Sequence, residues 1–292
     1  MTDHNTITEA DILENTRNFK LKHPKVGLWI LTPCFASLCY VKFVTSLIKT
    51  MDLFRQIDIP ISVEFCGNDS LVSRARNNMI ARAMNSDSMT HVLFIDNDIS
   101  WNPIDVLKLL FSEKDIIGGI YPLKRYHWSR LVPTGLDDSV KTLLEQYETS
   151  AVRHNTTKEE FIQQNLLNYN MNYLHEKTLI QNGSLCEVKH VATGFMMIRR
   201  EVIEKMSQSF PSTKYVDDVG YLIPEENQYA YALFDCGVED GHYFSEDWMF
   251  CHRWRNMGGS IFMDISIKLA HTGNEEYNGF ILSTLGKPSF PP

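Results

Sequence analysis

Apolar and polar positions alternate in a regular order over the first part of the chain. Four short, almost continuously apolar runs have the length of buried strands, at residues 26–32, 61–65, 91–95 and 115–121. Apolar residues recur at helical spacing between successive runs. Strands that alternate with helices in this way predict a Rossmann-like α/β fold, with a mostly parallel sheet flanked by helices on both faces.

The predicted helices have start signals of their own. The first covers 36–54, after Pro33 has ended the first strand. We expect Asp69 to cap a second helix that runs to Ala83, because an aspartate side chain can accept from the free amides at a helix start. Pro103 is typical of a first helical position and opens the third helix.

The pattern changes in the second half of the chain. A polar stretch at about 135–185 has only weak helical spacing, around 140–147 and 158–167, and predicts a helical insertion. Three further segments follow it: a strand pair or a strand running into a helix at 188–206, a helix from Ser245 to Gly258 and Gly259, and a last strand at 260–267.

Composition and charge exclude some classes of protein. The 292 residues are 43% apolar, which is ample for a packed core, and the 28 basic and 36 acidic residues give a net charge of −8. A basic surface that coats nucleic acid is therefore not expected. No apolar run is long enough to span a bilayer, the N-terminus lacks the apolar segment of a signal peptide, and the six cysteines have no zinc-like spacing. We expect a cytoplasmic protein with reduced thiols.

Two aspartates, Asp96 and Asp98, end the third apolar run with only Asn97 between them. Adjacent carboxylates repel each other and are costly near a buried strand unless a cation neutralises them. Oxygen ligands of this kind suit Mg²⁺ or Mn²⁺. An isolated pair of this spacing is more often a solvated turn, but the strand before it favours a metal site.

Three other groups of residues are candidates for chemistry. His271 follows the last predicted strand and could complete a metal site, since Mn²⁺ accepts both oxygen and nitrogen donors. Glu246 and Asp247 follow Ser245, either as acids that favour the positive end of the helix dipole or with one of them as a general base. Arg74 lies near a helix start, on a solvated basic face or facing a diphosphate.

Taken together and in this order, seven motifs resemble those of GT-A-fold glycosyltransferases, most of all the small family-2-like transferases of large DNA viruses, phages and bacteria. They cover about 25–273 with a gap over the polar insertion, and they are TPCF, NDSLVSRARNNMIARAM, LFIDNDISW, GGIYPLK, ATGFMMIRREV, SEDWMFCHRWRNMGG and LAHTG. The resemblance implies a GT-A-type mixed sheet, a Mn²⁺ or Mg²⁺ ion, a nucleotide-sugar donor (a UDP-sugar) and a glycan or protein acceptor.

The same resemblance implies roles for individual residues. The nucleotide would be bound by Thr32, Pro33, Phe35, Arg74 and Asn97, with Lys124 beside its phosphates. Asp96, Asp98 and His271 would hold the metal. Thr193 and Gly194 would border the sugar subsites. Asp247 would be the catalytic base, with Glu246 as the neighbouring candidate.

The resemblance also implies a division of the chain. A single catalytic domain is expected at 25–283, between tails at 1–24 and 284–292. Within it, the nucleotide-binding half would cover 25–125. An insertion or lid would follow at 126–187, and the acceptor half at 188–283. A viral member would act in the host cytoplasm. The chain is compatible with a homo-oligomer.

Two alternatives remain open from the sequence. A haloacid-dehalogenase-like phosphatase would use Asp96 as nucleophile and Asp98 as acid/base, and its further acids would come from Asp137–Asp138 or Asp217–Asp218. A non-catalytic nucleotide-sugar-binding module would keep the metal site and lack the reaction. Inversion or retention at the transferred sugar also remains open.

Overall fold

A computed structural model describes residues 9–132, 135–174 and 180–285. The described helices are α1 Glu9–Lys22, α2 Val41–Gln56, α3 Val72–Met84, α4 Pro103–Phe111, α5 Leu136–Thr149, α6 Lys158–Asn165, α7 Arg200–Ser209 and α8 Glu246–Asn256. The described strands are β1 Leu28–Cys34, β2 Ile61–Gly67, β3 His91–Ile95, β4 Ile99–Ser100, β5 Ile116–Gly119, β6 Pro122–Tyr126, β7 Leu167–Tyr169, β8 Asn172–Tyr173, β9 Ile180–Asn182, β10 Leu185–His190, β11 Phe195–Arg199, β12 Gly237–Glu239, β13 His242–Phe244, β14 Phe262–Asp264, β15 Leu269–Thr272 and β16 Glu276–Gly279.

The central sheet is mixed and mostly parallel in strand direction. Its order is β2-β1-β3-β11-β5-β14-β10-β8, and β9 pairs with β10. The strands β2, β1, β3, β5 and β14 run the same way, while β11 and β10 run against them. The predicted α/β class is therefore confirmed. The alternation of strands did not reveal that an antiparallel strand, β11, separates β3 from β5.

Helices cover both faces of this sheet because successive strand residues point to opposite sides. In β3, Val92 and Phe94 pack in one core with α3, α7 and α8, whereas Leu93 and Ile95 pack in another with α1, α2 and α4. All five residues of β3 are buried. The continuously apolar run that predicted this strand thus reflects a strand covered on both faces.

Two of the local predictions were wrong in position. Pro33 lies inside β1 and does not end it. The pairing of β1 with β3 stops at Leu31, so the missing N–H of Pro33 interrupts no ladder on that side. Helix α3 begins at Val72, and Asp69 accepts from the backbone N–H of Leu71 instead of capping the helix directly.

His271 also lies in a different place from the one predicted. The run at 260–267 contributes only the short strand β14, and two more strands follow it. His271 lies within β15, in a separate three-stranded sheet of order β16-β15-β4. In that sheet His271 pairs with Ile99, next to Asp98.

The insertion contains the two predicted helices, α5 and α6, together with short strands. Strand β7 pairs with β6, and a small core of Leu131, Leu143 and Leu166 holds the two helices. The side-chain amide of Asn165 donates to the carbonyl of Ser283 at 3.2 Å and attaches α6 to the last described segment.

The packing of β5 against its neighbours generates a stability prediction. A methyl group at Gly118 would lie 2.4 Å from Val191 Cγ1 and 2.5 Å from the Phe195 carbonyl oxygen, which belongs to the backbone and cannot rotate away. Gly118→Ala should therefore lower the free energy of unfolding by about 1–3 kcal/mol, as overpacking does. Urea denaturation measures this.

Gly237→Ala is the matched control. Its added methyl group would meet only Met249 Cε, at an ordinary 3.5 Å. We expect a change of less than about 0.5 kcal/mol. Equal losses in the two variants would contradict the tight packing of β5.

Candidate functional site

A cleft of about 250 Å³ opens beside the carboxyl ends of β1 and β3. Parallel strands commonly place ligand sites at this edge. Its lining includes five residues that were predicted from the sequence: Pro33, Phe35, Asp96, Asn97 and Asp98. The fold therefore brings the TPCF segment and the DND triplet to one cavity.

Arg76, which the sequence analysis did not select, lies in the wall of this cleft. Its side chain is only 5% exposed, and it contacts two carboxylates: Nη2 donates to Asp96 Oδ1 at 3.1 Å and Nε to Glu246 Oε1 at 3.3 Å. Burial lowers the pKa of Arg76, but the two carboxylates outweigh burial and raise it overall. The pair of contacts joins the end of β3 to the first turn of α8.

Asp98 has different partners from Asp96. Lys124 Nζ donates to Asp98 Oδ2 at 2.5 Å, and His271 Nε2 lies 3.4 Å from Asp98 Oδ1. Burial raises the pKa of Asp98, but the interactions of its carboxylate with His271 and Lys124 outweigh burial and lower that pKa overall. The two aspartates of the triplet are thus neutralised separately, by Arg76 on one side and Lys124 on the other.

The tautomer of His271 follows from its second hydrogen bond. Nδ1 lies 2.9 Å from the carbonyl oxygen of Pro122, and a carbonyl can only accept, so Nδ1 carries the ring proton. In the neutral ring, Nε2 then directs a lone pair towards Asp98 Oδ1. That oxygen is buried and has no hydrogen-bond partner among the described residues. The contact is favourable only with a cation between the two atoms or a second proton on the ring.

This geometry fits part of the predicted metal site. A carboxylate oxygen and an imidazole nitrogen face each other, and a carbonyl fixes the ring from behind, as around many metal-binding histidines. Asp96 was also predicted to bind the metal, and in the structure its Oδ1 accepts a hydrogen bond from Arg76 Nη2. In the described ranges, no three His, Cys, Asp or Glu side chains form a group that could hold a metal ion as they stand.

The acids at the start of α8 separate into two environments. Glu246 pairs with Arg76, whereas Asp247 Oδ1 accepts from the Ser245 hydroxyl at 2.5 Å and from the Trp248 backbone N–H at 2.9 Å. Within the part of the chain described, Asp247 Oδ2 has no hydrogen bond. That oxygen is therefore free to take a proton.

Tyr121 is a second residue of the site that sequence reasoning missed. Its ring lies 5.2 Å from the ring of His271. Burial raises the pKa of its phenol, and the charges of Asp96 and Asp247 raise it further. The positive charge of Arg76 lowers the same pKa, but by less than burial and the two aspartates raise it. The only available signal was its place in the GGIYPLK motif.

Four residues that were predicted to contact the nucleotide or the sugar do not line the cleft. Thr32 and Thr193 are buried, at 0% and 2% exposure. Gly194 packs against the ring of Tyr121, where an added methyl group would come within 2.6 Å of the ring. Arg74 pairs with Asp69 through Nε at 3.0 Å and Nη2 at 2.7 Å. The guanidinium next to Asp96 belongs to Arg76, two residues further along the helix.

A larger cavity of about 510 Å³ lies elsewhere, between α2, α6 and the three-stranded sheet. None of the predicted site residues lines it. Its three charged side chains already have partners within the protein, because Lys42 pairs with Glu276, Glu160 accepts from the Thr157 N–H and Lys268 donates to the Asn155 carbonyl. The smaller cleft, where carboxylates and cations converge, is therefore the candidate site.

The burial of Arg76 generates a prediction. Arg76→Met keeps the length of the side chain but leaves Asp96 and Glu246 without their shared cation. We expect the free energy of unfolding to fall by about 3–5 kcal/mol, as when one partner of a buried ion pair is removed. Urea denaturation at neutral pH gives the value.

Arg74→Met provides the control on the same helix, because its pair with Asp69 is more exposed. A much smaller loss of stability is expected there, because solvent screens an exposed ion pair. A larger loss for Arg74→Met than for Arg76→Met would reverse the structural assignment.

Comparisons with known proteins identify no family. No protein-family model matches the chain, and no curated protein matches it. One solved structure that matches is described as the crystal structure of A197 from STIV, with 15% sequence identity, a TM-score of 0.42, and coverage of 85% of this chain and 86% of that chain. A likeness at this level establishes neither a family nor a function. No helix in the described ranges is long and apolar enough to cross a membrane.

Proposed function

We propose that the protein is a metal-dependent glycosyltransferase, which moves a sugar from a nucleotide-sugar donor, a UDP-sugar, to a hydroxyl group of a glycan or protein. The observation that carries this proposal is the bridge from Asp96 through Arg76 to Glu246. Through this bridge the first aspartate of the DND triplet lies close to Glu246 of the SED segment. A transferase needs these two groups together, because the donor diphosphate and the acceptor hydroxyl meet at one carbon atom.

Different residues of the site would contact the base and the phosphates of the donor. Pro33 and Phe35 supply apolar surface for the nucleotide base, and Asn97 and the two aspartates line the same cleft. Lys124 pairs with Asp98, and its side chain could exchange this partner for a phosphate oxygen of the donor. Carboxylate-paired lysine is a compact cation that suits this exchange of partners.

Asp98 and His271 would hold the divalent metal, through Oδ1 and the lone pair of Nε2. When bound, the metal would stabilise the negative charge that develops on the leaving diphosphate. Pro122 fixes the ring orientation through its carbonyl group, so the nitrogen is directed before any ligand arrives.

Asp247 would accept the proton of the acceptor hydroxyl through its free Oδ2. The Ser245 hydroxyl and the Trp248 N–H hold the other oxygen, and so fix the direction of the carboxylate. An oriented carboxylate of this kind acts as a general base when the acceptor hydroxyl lies within hydrogen-bond reach. This role implies an inverting reaction.

The metal requirement is tested by titration calorimetry of UDP. UDP should bind at least about tenfold more tightly with Mn²⁺ than with a chelator present, a difference of about 1.4 kcal/mol. In Asp98→Asn this difference should largely disappear, since the carboxylate oxygen that faces His271 is lost. Equal UDP affinity with and without Mn²⁺ in the unmodified protein would remove the metal from the proposal.

The role of Asp247 is tested by Asp247→Asn, which keeps the size of the side chain but cannot act as a strong base. Transfer should fall by roughly 10²–10⁴-fold, the usual contribution of general-base catalysis. UDP affinity should be preserved, because Asp247 would touch the acceptor and not the diphosphate. The readouts are the turnover of a donor found by thermal-shift screening of UDP-sugars, and calorimetry.

Glu246→Gln is the control for this experiment. Glu246 contacts Arg76, so its loss should lower stability while turnover per folded molecule changes much less. If Glu246→Gln abolishes transfer and Asp247→Asn does not, the base has been assigned to the wrong acid. If neither variant loses turnover, a retaining reaction without an enzyme base at this position is the better account.

A further inference from the structure

Two cysteines lie side by side where β1 runs into the cleft wall. The sulfur atoms of Cys34 and Cys39 are 3.4 Å apart, and both residues are free thiols. A disulfide bond has a length of about 2.05 Å, so a shift of roughly 1.4 Å between the sulfurs would join them. Cys34 itself lines the cleft, together with its neighbour Phe35.

We propose that Cys34 and Cys39 are a site of reversible intrachain disulfide formation, which closes residues 34–39 into a ring and fixes one wall of the cleft. The oxidant is a small-molecule disulfide. The Cys39 thiolate attacks one sulfur of that molecule, whose S–S bond breaks and releases the first small thiol. Cys34 then attacks the Cys39 sulfur and releases the second. The protein loses two hydrogen atoms, and the small disulfide is reduced to two thiols.

Accessibility sets the order of the two steps. Cys39 is partly exposed, whereas Cys34 is buried. Burial raises the pKa of the Cys34 thiol to about 12, and its hydrogen bond to Cys39 and the charge of that neighbour add to the effect. Cys39 is therefore the thiol that meets the oxidant. Once its sulfur is in a mixed disulfide, the contribution of Cys39 to the pKa of Cys34 disappears, and Cys34 lies close enough to attack.

The segment between the two cysteines has a backbone that a covalent ring would help to hold. Ala36 and Ser37 both have φ of 55°, in the left-handed region that residues with a side chain seldom adopt. The segment is attached to the DND triplet at two points: Asn97 Nδ2 donates to the Leu38 carbonyl at 2.7 Å, and the Tyr40 N–H donates to the Asn97 carbonyl at 3.1 Å. A disulfide removes the freedom of this wall to relax away from the cleft.

A fixed wall has a consequence for binding, and this consequence rests on the proposed function. Phe35 is 77% exposed and is expected to face the nucleotide base. Holding its segment in the cleft-forming conformation removes part of the ordering cost of binding. The oxidised protein should therefore bind UDP with Mn²⁺ roughly 2- to 10-fold more tightly than the reduced protein, which corresponds to the ordering of about one side chain.

The site is tested in the full chain with Cys236→Ser, because Cys236 is the exposed thiol and would form intermolecular disulfides. After incubation with oxidised glutathione, remaining thiols are alkylated and the protein is digested with trypsin. Cys34 and Cys39 lie on one tryptic peptide, between Lys25 and Lys42. That peptide should be unalkylated and lighter by two hydrogen atoms, and dithiothreitol should restore both thiols.

Cys39→Ser in the same background is the control and should give an alkylated Cys34 under all conditions. Two results would overturn the proposed site. One is a tryptic peptide 26–42 that keeps both thiols while other cysteines oxidise. The other is a disulfide from Cys34 to Cys66, whose neighbouring residue Gly67 pairs with Cys34 across the two strands.

The fixing of the wall has a readout that does not depend on UDP. Chymotrypsin should cleave after Phe35 more slowly in the oxidised protein. Equal cleavage rates in the oxidised and reduced proteins would show that the disulfide does not restrain residues 34–39. In UDP titrations, unchanged or weaker binding by the oxidised form would refute the link to the nucleotide. If neither form binds UDP with Mn²⁺ but the disulfide forms, the proposed function fails and the modification site stands.

Discussion

The buried guanidinium of Arg76 is the interaction on which the arrangement of the site depends. It offsets two carboxylates, Asp96 and Glu246, that come from distant parts of the sequence and would repel each other without it. A charged group with 5% exposure is costly to bury unless its partners are well placed. This one side chain therefore connects α3 with the first turn of α8 and with the end of β3.

The other half of the site depends on the small three-stranded sheet. The pairing of β15 with β4 places His271 beside Asp98, and the N–H of Thr272 donates to the Asp98 carbonyl at 2.8 Å. The carbonyl of Pro122 then fixes which nitrogen of the ring faces the carboxylate. Backbone contacts thus set the geometry of the Asp98–His271 pair. A carboxylate oxygen and an imidazole nitrogen then face each other and leave room for a cation to bind between them. In the ligand-free protein the ammonium group of Lys124 partly neutralises Asp98.

The parts of the fold that follow from local pattern could be predicted from the sequence. Residues 91–95 form β3 as predicted, and Pro103 opens α4, since a continuous apolar run and a proline at a first helical position are local signals. The position of β11 between β3 and β5 could not be predicted, because strand order depends on packing between distant segments. The same limit applies to the strand that holds His271, since its partner β4 lies far away in the sequence.

The choice between Arg74 and Arg76 illustrates this limit within the site. Both arginines stand in the SRAR motif, and spacing alone does not say which one faces the aspartates. Asp69, five residues before Arg74, pairs with it locally, whereas Arg76 finds its partners 20 and 170 residues away. A long-range ion pair leaves no signature in a single sequence. The DND triplet and the SED segment were found because each carries its acids next to a strand end or a helix start.

The most direct test of the account is a crystal structure of the protein with UDP and Mn²⁺, with anomalous scattering used to locate the metal. The account predicts a manganese peak within bonding distance of Asp98 and His271 Nε2, with Lys124 moved from Asp98 to a phosphate and Arg76 still paired with Asp96. A manganese peak away from Asp98 and His271, or UDP bound outside the cleft beside β1 and β3, would contradict it.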